Sequence, residues 1–247
     1  MLTWVPPQQE AEELVDSPNV DPRLLQRNLR NMTQANRRLG AERAVLRQVA
    51  RWVGSTPADH PATILDIGTG NAQSLQQLHS WGQRHGRNLR LVGCDVNAKV
   101  LDVAQRETHR SPIHLMRCDA LHLPLADGAI DVVMCVQALH HFSRVAAERL
   151  VQECARVARV GVIISDLRRS YPAYWGARLL ALGPVSPLSR HDGPLSVLRA
   201  YTPAEAAQIV RSAGVSGEVQ QRVWGMDVVI GGTTGASLRE SRDNTKQ

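Results

Sequence analysis

The chain has 247 residues, a formal net charge of +6, 43% hydrophobic residues and 4% aromatic residues. That length buries a substantial core in one domain with a modest appendage and leaves no room for two full domains. Only Lys99 and Lys246 are lysines among the 29 basic residues, no basic run exceeds two, as in Arg37-Arg38 and Arg168-Arg169, and Phe142 is the only phenylalanine; a nucleic-acid partner, which calls for clustered basic residues interleaved with aromatics, is not expected.

No segment approaches the roughly 18 consecutive apolar residues of a membrane helix. Met1 to Glu10 hold no basic-then-apolar leader, so a cytoplasmic protein without membrane insertion is expected. Cys94, Cys118, Cys135 and Cys154 lie singly, without Cys-x-x-Cys spacing. They read as buried free thiols, and neither a disulfide nor a metal is expected.

In chain order, residues 1–58 read as an N-terminal helical lid. An acidic, proline-punctuated stretch leads to Asp21, an N-cap with Pro22 at the first helical position. Leu25, Leu29, Met32 and Leu39 form one apolar stripe, Gly40 breaks it, and Val45, Leu46, Val49 and Val53 form a second. From 59 to 231 strands and helices alternate, which predicts an α/β domain with a mostly parallel sheet wrapped on both faces. The first strand, Thr63 to Ile67, runs into Gly68-Thr69-Gly70, a turn whose glycines let a bulky polar ligand approach bare backbone. The second, Leu89 to Cys94, ends at Asp95, where a carboxylate can accept both hydroxyls of a ribose. The third, Ile113 to Cys118, ends at Asp119, and the fourth, Ile130 to Val136, follows the turn Leu123-Pro124-Leu125-Ala126-Asp127-Gly128. Asn97 and Ser143 are placed to cap helices, the latter with Ala147, Leu150, Val151, Cys154 and Val157 on its buried side. Gly161 to Ser165 is strand five. A long insert of about 166–200 follows, then the capping box Thr202-Pro203-Ala204-Glu205, two last strands within 217–230, and a disordered polar tail, 232–247.

Acidic residues at the tips of three successive strands, with Leu-Pro-Leu-x-Asp-Gly-x-Ile-Asp ahead of the fourth, resemble the class I S-adenosylmethionine-dependent methyltransferases over roughly residues 60 to 230. The resemblance implies a Rossmann-like, seven-stranded mixed sheet and S-adenosylmethionine as cofactor. Asp66, Gly68, Thr69 and Gly70 would line its methionine half, Asp95 would hold the ribose, and Val96 would pack on adenine. Asp119 and the backbone of Ala120 would meet the adenine amine, with Val136 and Gln137 beneath the sulfonium. A nicotinamide cofactor would need a third glycine, and Asn71-Ala72 stands in its place.

Ligands of an open parallel sheet bind beyond the carboxyl ends of its strands, which singles out Leu139-His140-His141, Asp166 and the insert. Methyl transfer requires alignment and, for a hydroxyl, removal of a proton near neutral pH. His140, His141 and His191 are therefore the candidate bases, with Asp166 or Asp192 to orient an imidazole. Arg168, Arg169 and Arg190 are candidates for an anionic substrate group, and Tyr171, Tyr174 and Trp175 for an apolar cavity wall. Asp166-Leu167-Arg168-Arg169-Ser170 with Arg190 to Thr202 looks like a bacterial subgroup associated with polyketide and other secondary metabolites. It implies a small phenolic, enolic or quinone-like acceptor methylated at oxygen, with ring C-methylation and a non-catalytic cofactor-binding protein as the alternatives.

Overall fold

The computed structural model describes residues 5–17, 19–39, 41–54, 60–215, 218–221 and 227–233. Two helices, α1 (Pro22–Leu39) and α2 (Ala41–Gly54), precede the alternating region. There follow β1 (Ala62–Ile67), α3 (Gln73–Arg84), β2 (Leu89–Asp95), α4 (Ala98–Thr108), β3 (Ile113–Arg117), β4 (Ile130–Val136), α5 (Arg144–Val157) and β5 (Ala158–Leu167). The described residues end with α6 (Tyr171–Leu180), α7 (Pro187–Arg199), α8 (Pro203–Ser212), β6 (Glu218–Gln221) and β7 (Asp227–Thr233).

The strand order is β3-β2-β1-β4-β5-β7-β6. The first five strands of that order pair in parallel, and β7 and β6 join antiparallel beyond β5. The Rossmann-like α/β expectation is met by this doubly wound block. Strand order runs outward from β1 to β3 and then resumes on the other side of β1 with β4, so the topological switch point lies between β1 and β4. β7 extends to Thr233, past the expected end of the last strand; the rest of the tail, from 234, lies outside the described residues.

The central strands β1, β4 and β5 are apolar and buried on both faces, as parallel sheets require. On one face Leu75 and Leu78 of α3 pack with Ile64, Leu91, Met134 and Ile163. Val45, Val49 and Val53 of α2 join that same cluster, so of the two helices expected as a lid, α2 is a core helix. Only α1 lies over the site, its Leu25 and Leu29 clustered with Val15, Val20 and Leu188. On the other face Leu150, Cys154 and Val157 of α5 and Ile209 and Val210 of α8 pack against Leu65, Val133 and Ile164. Each fully buried aliphatic side chain contributes about 1.5–3 kcal/mol. The caps form as the sequence implies: Asn97 and Ser143 accept the amides of Lys99 and Ala146, and Thr202 and Glu205 close the capping box.

The insert is built of two helices rather than a loop. Ser170 caps α6 and Ser186 caps α7, each with proline in the first turn, a start signal the sequence carried. All four cysteines are buried free thiols, and burial pushes Cys154 up to about 12. Among the described residues, no helix is long and apolar enough to cross a membrane.

Candidate functional site

The turn after β1 requires its glycines. Gly68 and Gly70 have φ of +67° and +55°, values that a Cβ disfavours. A Cβ on Gly68 would lie 2.8 Å from Ala138 Cβ, so the loops after β1 and β4 meet at the switch point. The amides of Gly68 and Thr69 donate to the carbonyl of Cys94. Thr69 Oγ1 turns inward and donates to buried Asp66 at 3.0 Å.

Beyond the strand tips opens a cleft of about 730 Å³, bordered by Gly68, Gly70, Asp95, Val96, Asp119, Ala120 and Gln137. The Asp95 carboxylate accepts the Asn97 amide at 2.9 Å. Burial raises its pKa, opposed by backbone donors of Asn97 and Gly70. Asp119 is more exposed; it accepts the Leu121 amide at 2.9 Å, and its hydrogen bond with His122 holds the carboxyl below its ordinary value. Val96 is 65% exposed, and its carbonyl receives Arg117 Nε at 3.0 Å, tying the tips of β2 and β3. Asp66, Thr69 and Val136 border a smaller recess opening beside the glycine turn.

A second, largely apolar cavity of about 140 Å³ lies beneath α1 and between α6 and α7, walled by Met32, Ala35, Leu167, Ala177, Leu180 and Val197, with Glu13, Asn28, Asn36, Gln137, His140 and Asp192 among its polar groups. Met32 and Gln137 border this cavity, the recess and the cleft alike. Gln137 is held at φ +55°, a conformation strained for a residue with a side chain, and its amide donates to Ser165 at 2.7 Å.

The two neighbouring histidines part ways. His140 borders the cavity, and His141 borders the cleft. The His140 side chain is 1% exposed and its Nδ1 lies 2.6 Å from Asp166 Oδ1, while the other Asp166 oxygen accepts the His140 amide at 2.7 Å. With Nδ1 paired to a carboxylate, Nε2 has no hydrogen-bond partner, its nearest acid being Glu13 Oε1 at 3.6 Å. His141 Nδ1 meets Asp16 at 3.1 Å. Burial lowers the His141 pKa, but the bond to Asp16 and the charges of Glu13, Asp16 and Asp166 outweigh it and the net shift is upward. For Asp16 burial is likewise outweighed, by His141 first, and the carboxyl falls below its ordinary value.

Glu13 borders the cavity and Asp16 the cleft; the sequence did not single them out, because they sit in an acidic, proline-punctuated stretch without periodicity. That segment is strapped down. Asp192 accepts the amides of Leu14 and Val15 at 2.9 and 3.0 Å, Ser196 donates to Glu13 at 2.9 Å, and Arg199 holds the carbonyls of His140 and His141. No local periodicity could announce these partners.

Other expectations are corrected. His191 does not border the cavity: its ring is half exposed and bonded to Asp192 at 2.8 Å, and Asp192 is committed to the strap. Arg169 is buried against Glu205, Pro6 and Ala200, and Arg190 donates to the carbonyl of Ala181, so these two serve the fold. Tyr171, Tyr174 and Trp175 do not wall the cavity; α6 offers it Ala177 and Leu180, followed by the capping Ala181.

Residues 65–165 match the methyltransferase domain family. A tRNA (carboxymethyluridine(34)-5-O)-methyltransferase of Mus musculus is 31% identical over 101 residues, which are 40% of this chain and 13% of that protein. A phthiotriol/phenolphthiotriol dimycocerosates methyltransferase of Mycobacterium ulcerans is 36% identical over 114 residues, 44% of this chain and 40% of that one. The chain therefore spans well under half the length of these curated relatives. In solved structures the fold is similar to that of a SAM-dependent methyltransferase from Aquifex aeolicus, with a TM-score of 0.56 at 16% identity, covering 87% of this chain and 99% of that one. The central segment of this chain, residues 65–165, is thus similar to the methyltransferase domain family, and it is set in a fold similar to that of a SAM-dependent methyltransferase.

Proposed function

We propose that the protein transfers a methyl group from S-adenosylmethionine to a hydroxyl of a small phenolic or enolic molecule seated in the apolar cavity. One observation carries this reading: His140 presents a buried, unpartnered Nε2 at the cavity wall while Asp166 fixes its other nitrogen. An imidazole so held is oriented to take a proton.

The residues of the cleft fit the cofactor. A desolvated carboxylate at Asp95 gains from hydroxyl donors such as those of a ribose, and an added Cβ at Gly70 would meet only Leu29 Cδ2, at 3.7 Å, which leaves its backbone open to a ligand. Asp66, Gly68, Thr69 and Gly70 would hold the methionine half, Asp95 and Val96 the nucleoside, Asp119 and Ala120 the adenine edge, and Val136 and Gln137 the sulfonium end. When bound, S-adenosylmethionine supplies an electrophilic methyl group. The chain's own contribution is alignment across Gln137 and acceptance of the acceptor's proton at His140 Nε2. The resulting imidazolium lies between the Asp166 and Glu13 carboxylates, which stabilise it. His191 has no part in this step.

A cavity of about 140 Å³ under three helices favours a small molecule over a nucleic acid. The test is to incubate the protein with methyl-labelled cofactor and a panel of phenols and enolised diketones. A labelled ether identified by mass and NMR is expected. Absence of cofactor binding by calorimetry together with absence of labelled product would sink the proposal, and label on ring carbon would replace oxygen as the acceptor atom.

A further inference from the structure

From Tyr171 to Val185 the chain carries one charged residue, Arg178, and that guanidinium lies over the Tyr174 ring. Along this stretch Trp175, Leu179 and Leu182 stand at i, i+4 and i+7, exposed by 62%, 70% and 81%. Three neighbouring large apolar side chains left in water are costly, and contiguous apolar surface of this kind marks a binding site. The stripe is continuous with the acceptor cavity through Leu180, which is half exposed and also forms part of the cavity wall.

The size of the cavity says what covers the stripe. A cavity of about 150 Å³ takes one benzene ring, and this one, with polar groups beside its apolar wall, measures about 140 Å³. Any acceptor larger than a single hydroxylated ring must continue outside, and Leu180, at once cavity wall and surface, joins the cavity to an apolar face. We propose that the acceptor is an amphiphile: a hydroxylated ring in the cavity and an unbranched hydrocarbon tail laid along Leu180, Trp175, Leu179 and Leu182. This rests on the methyl-transfer reading for the ring and adds the tail.

The experiment uses phenols with straight alkyl tails of increasing length, and measures binding by calorimetry in the presence of S-adenosylhomocysteine and kcat/KM with the active cofactor. Affinity is expected to rise about 2- to 4-fold per methylene, the scale of burying one CH2, and to level off once the stripe is covered. The double variant Leu179→Ser/Leu182→Ser, at positions exposed enough to spare folding, is expected to flatten the series while leaving the tail-free phenol unchanged. A flat series in the wild type, or an unchanged slope in the double variant, overturns the tail. An unchanged slope with loss of a dimer on sedimentation would make the stripe a contact between two copies; an unchanged slope with loss of vesicle binding would make it a membrane-facing surface. Binding that rises with chain length without transfer retains the tail and fails the enzyme reading, whereas transfer with a flat series fails the tail alone.

Discussion

The two halves of the site are built by different means. The cofactor side is built from strand tips: the Gly68-Thr69-Gly70 turn, Asp95 and Asp119 lie at or just beyond the ends of parallel strands, with hydrogen bonds to residues two or three along the chain and between neighbouring strand tips. The acceptor side is assembled at long range. Asp192 meets Leu14 across 178 residues, and Ser196 meets Glu13 across 183. A ligand common to many proteins can be held by backbone and strand-tip carboxylates. A particular acceptor needs walls brought from elsewhere, so the difference between the halves is one of how far sequence neighbours can determine function.

The largest expected effect tests whether the long-range half depends on its central carboxylate. Asp166 accepts the His140 amide, His140 Nδ1 and the Leu167 amide, and truncation strands buried donors that cost about 1–3 kcal/mol each. Asp166→Ala is expected to lower stability by about 3 kcal/mol, roughly 8 °C in melting temperature for a chain of this size. Asp166→Asn should melt nearer to the wild type and still lose turnover. Scanning calorimetry of both variants decides this, and an Asp166→Ala protein as stable as the wild type would break the assignment.

A smaller effect belongs to the local half. Asp95→Ala is expected to weaken S-adenosylmethionine binding by about 2 kcal/mol, the scale of a charge-assisted hydrogen bond, without altering the fold. Because burial raises the Asp95 pKa, wild-type affinity should also fall on acidification sooner than an ordinary aspartate would dictate. Unchanged affinity in a folded variant would remove Asp95 from the ribose.

This local half was legible in the sequence. Alternating apolar runs gave the parallel block, Gly-x-Gly gave the turn, and acidic residues at strand ends marked the cleft. The acceptor half was legible only in pieces. Leu-His-His and Asp166 stand at strand ends and could be picked out, yet nothing local told which histidine borders the cavity, since both follow the same strand. His191 was misplaced because an Asp beside a His resembles an orienting pair, whereas Asp192 is engaged by the backbone of Leu14 and Val15. Glu13 was invisible because its partner, His140, is contributed by a distant loop.

The smallest effect concerns the strap. The Asp16–His141 pair has side chains 47% and 24% exposed, so it contributes less than about 1 kcal/mol. His141 is raised above 6.5, so the contact is complete below that pH and is lost as pH rises through the raised value. Asp16 is lowered below 3.8, so its share is complete above that pH and is lost as pH falls through the lowered value. Amide protection factors for residues 13–16, corrected for intrinsic exchange, should therefore decline as pH rises through the raised His141 value. Constant protection there would mean that Asp192 and Ser196 hold the strap unaided.

The division of labour between the halves is tested most directly by His140→Ala, assayed for S-adenosylmethionine affinity by calorimetry and for turnover at saturating cofactor. Turnover is expected to fall about 10²-fold or more, the scale of general-base catalysis, with affinity unchanged within about 2-fold because Asp95 and the glycine turn are untouched. Wild-type turnover between pH 6 and 8, or a loss of affinity as large as the loss of turnover, would contradict it.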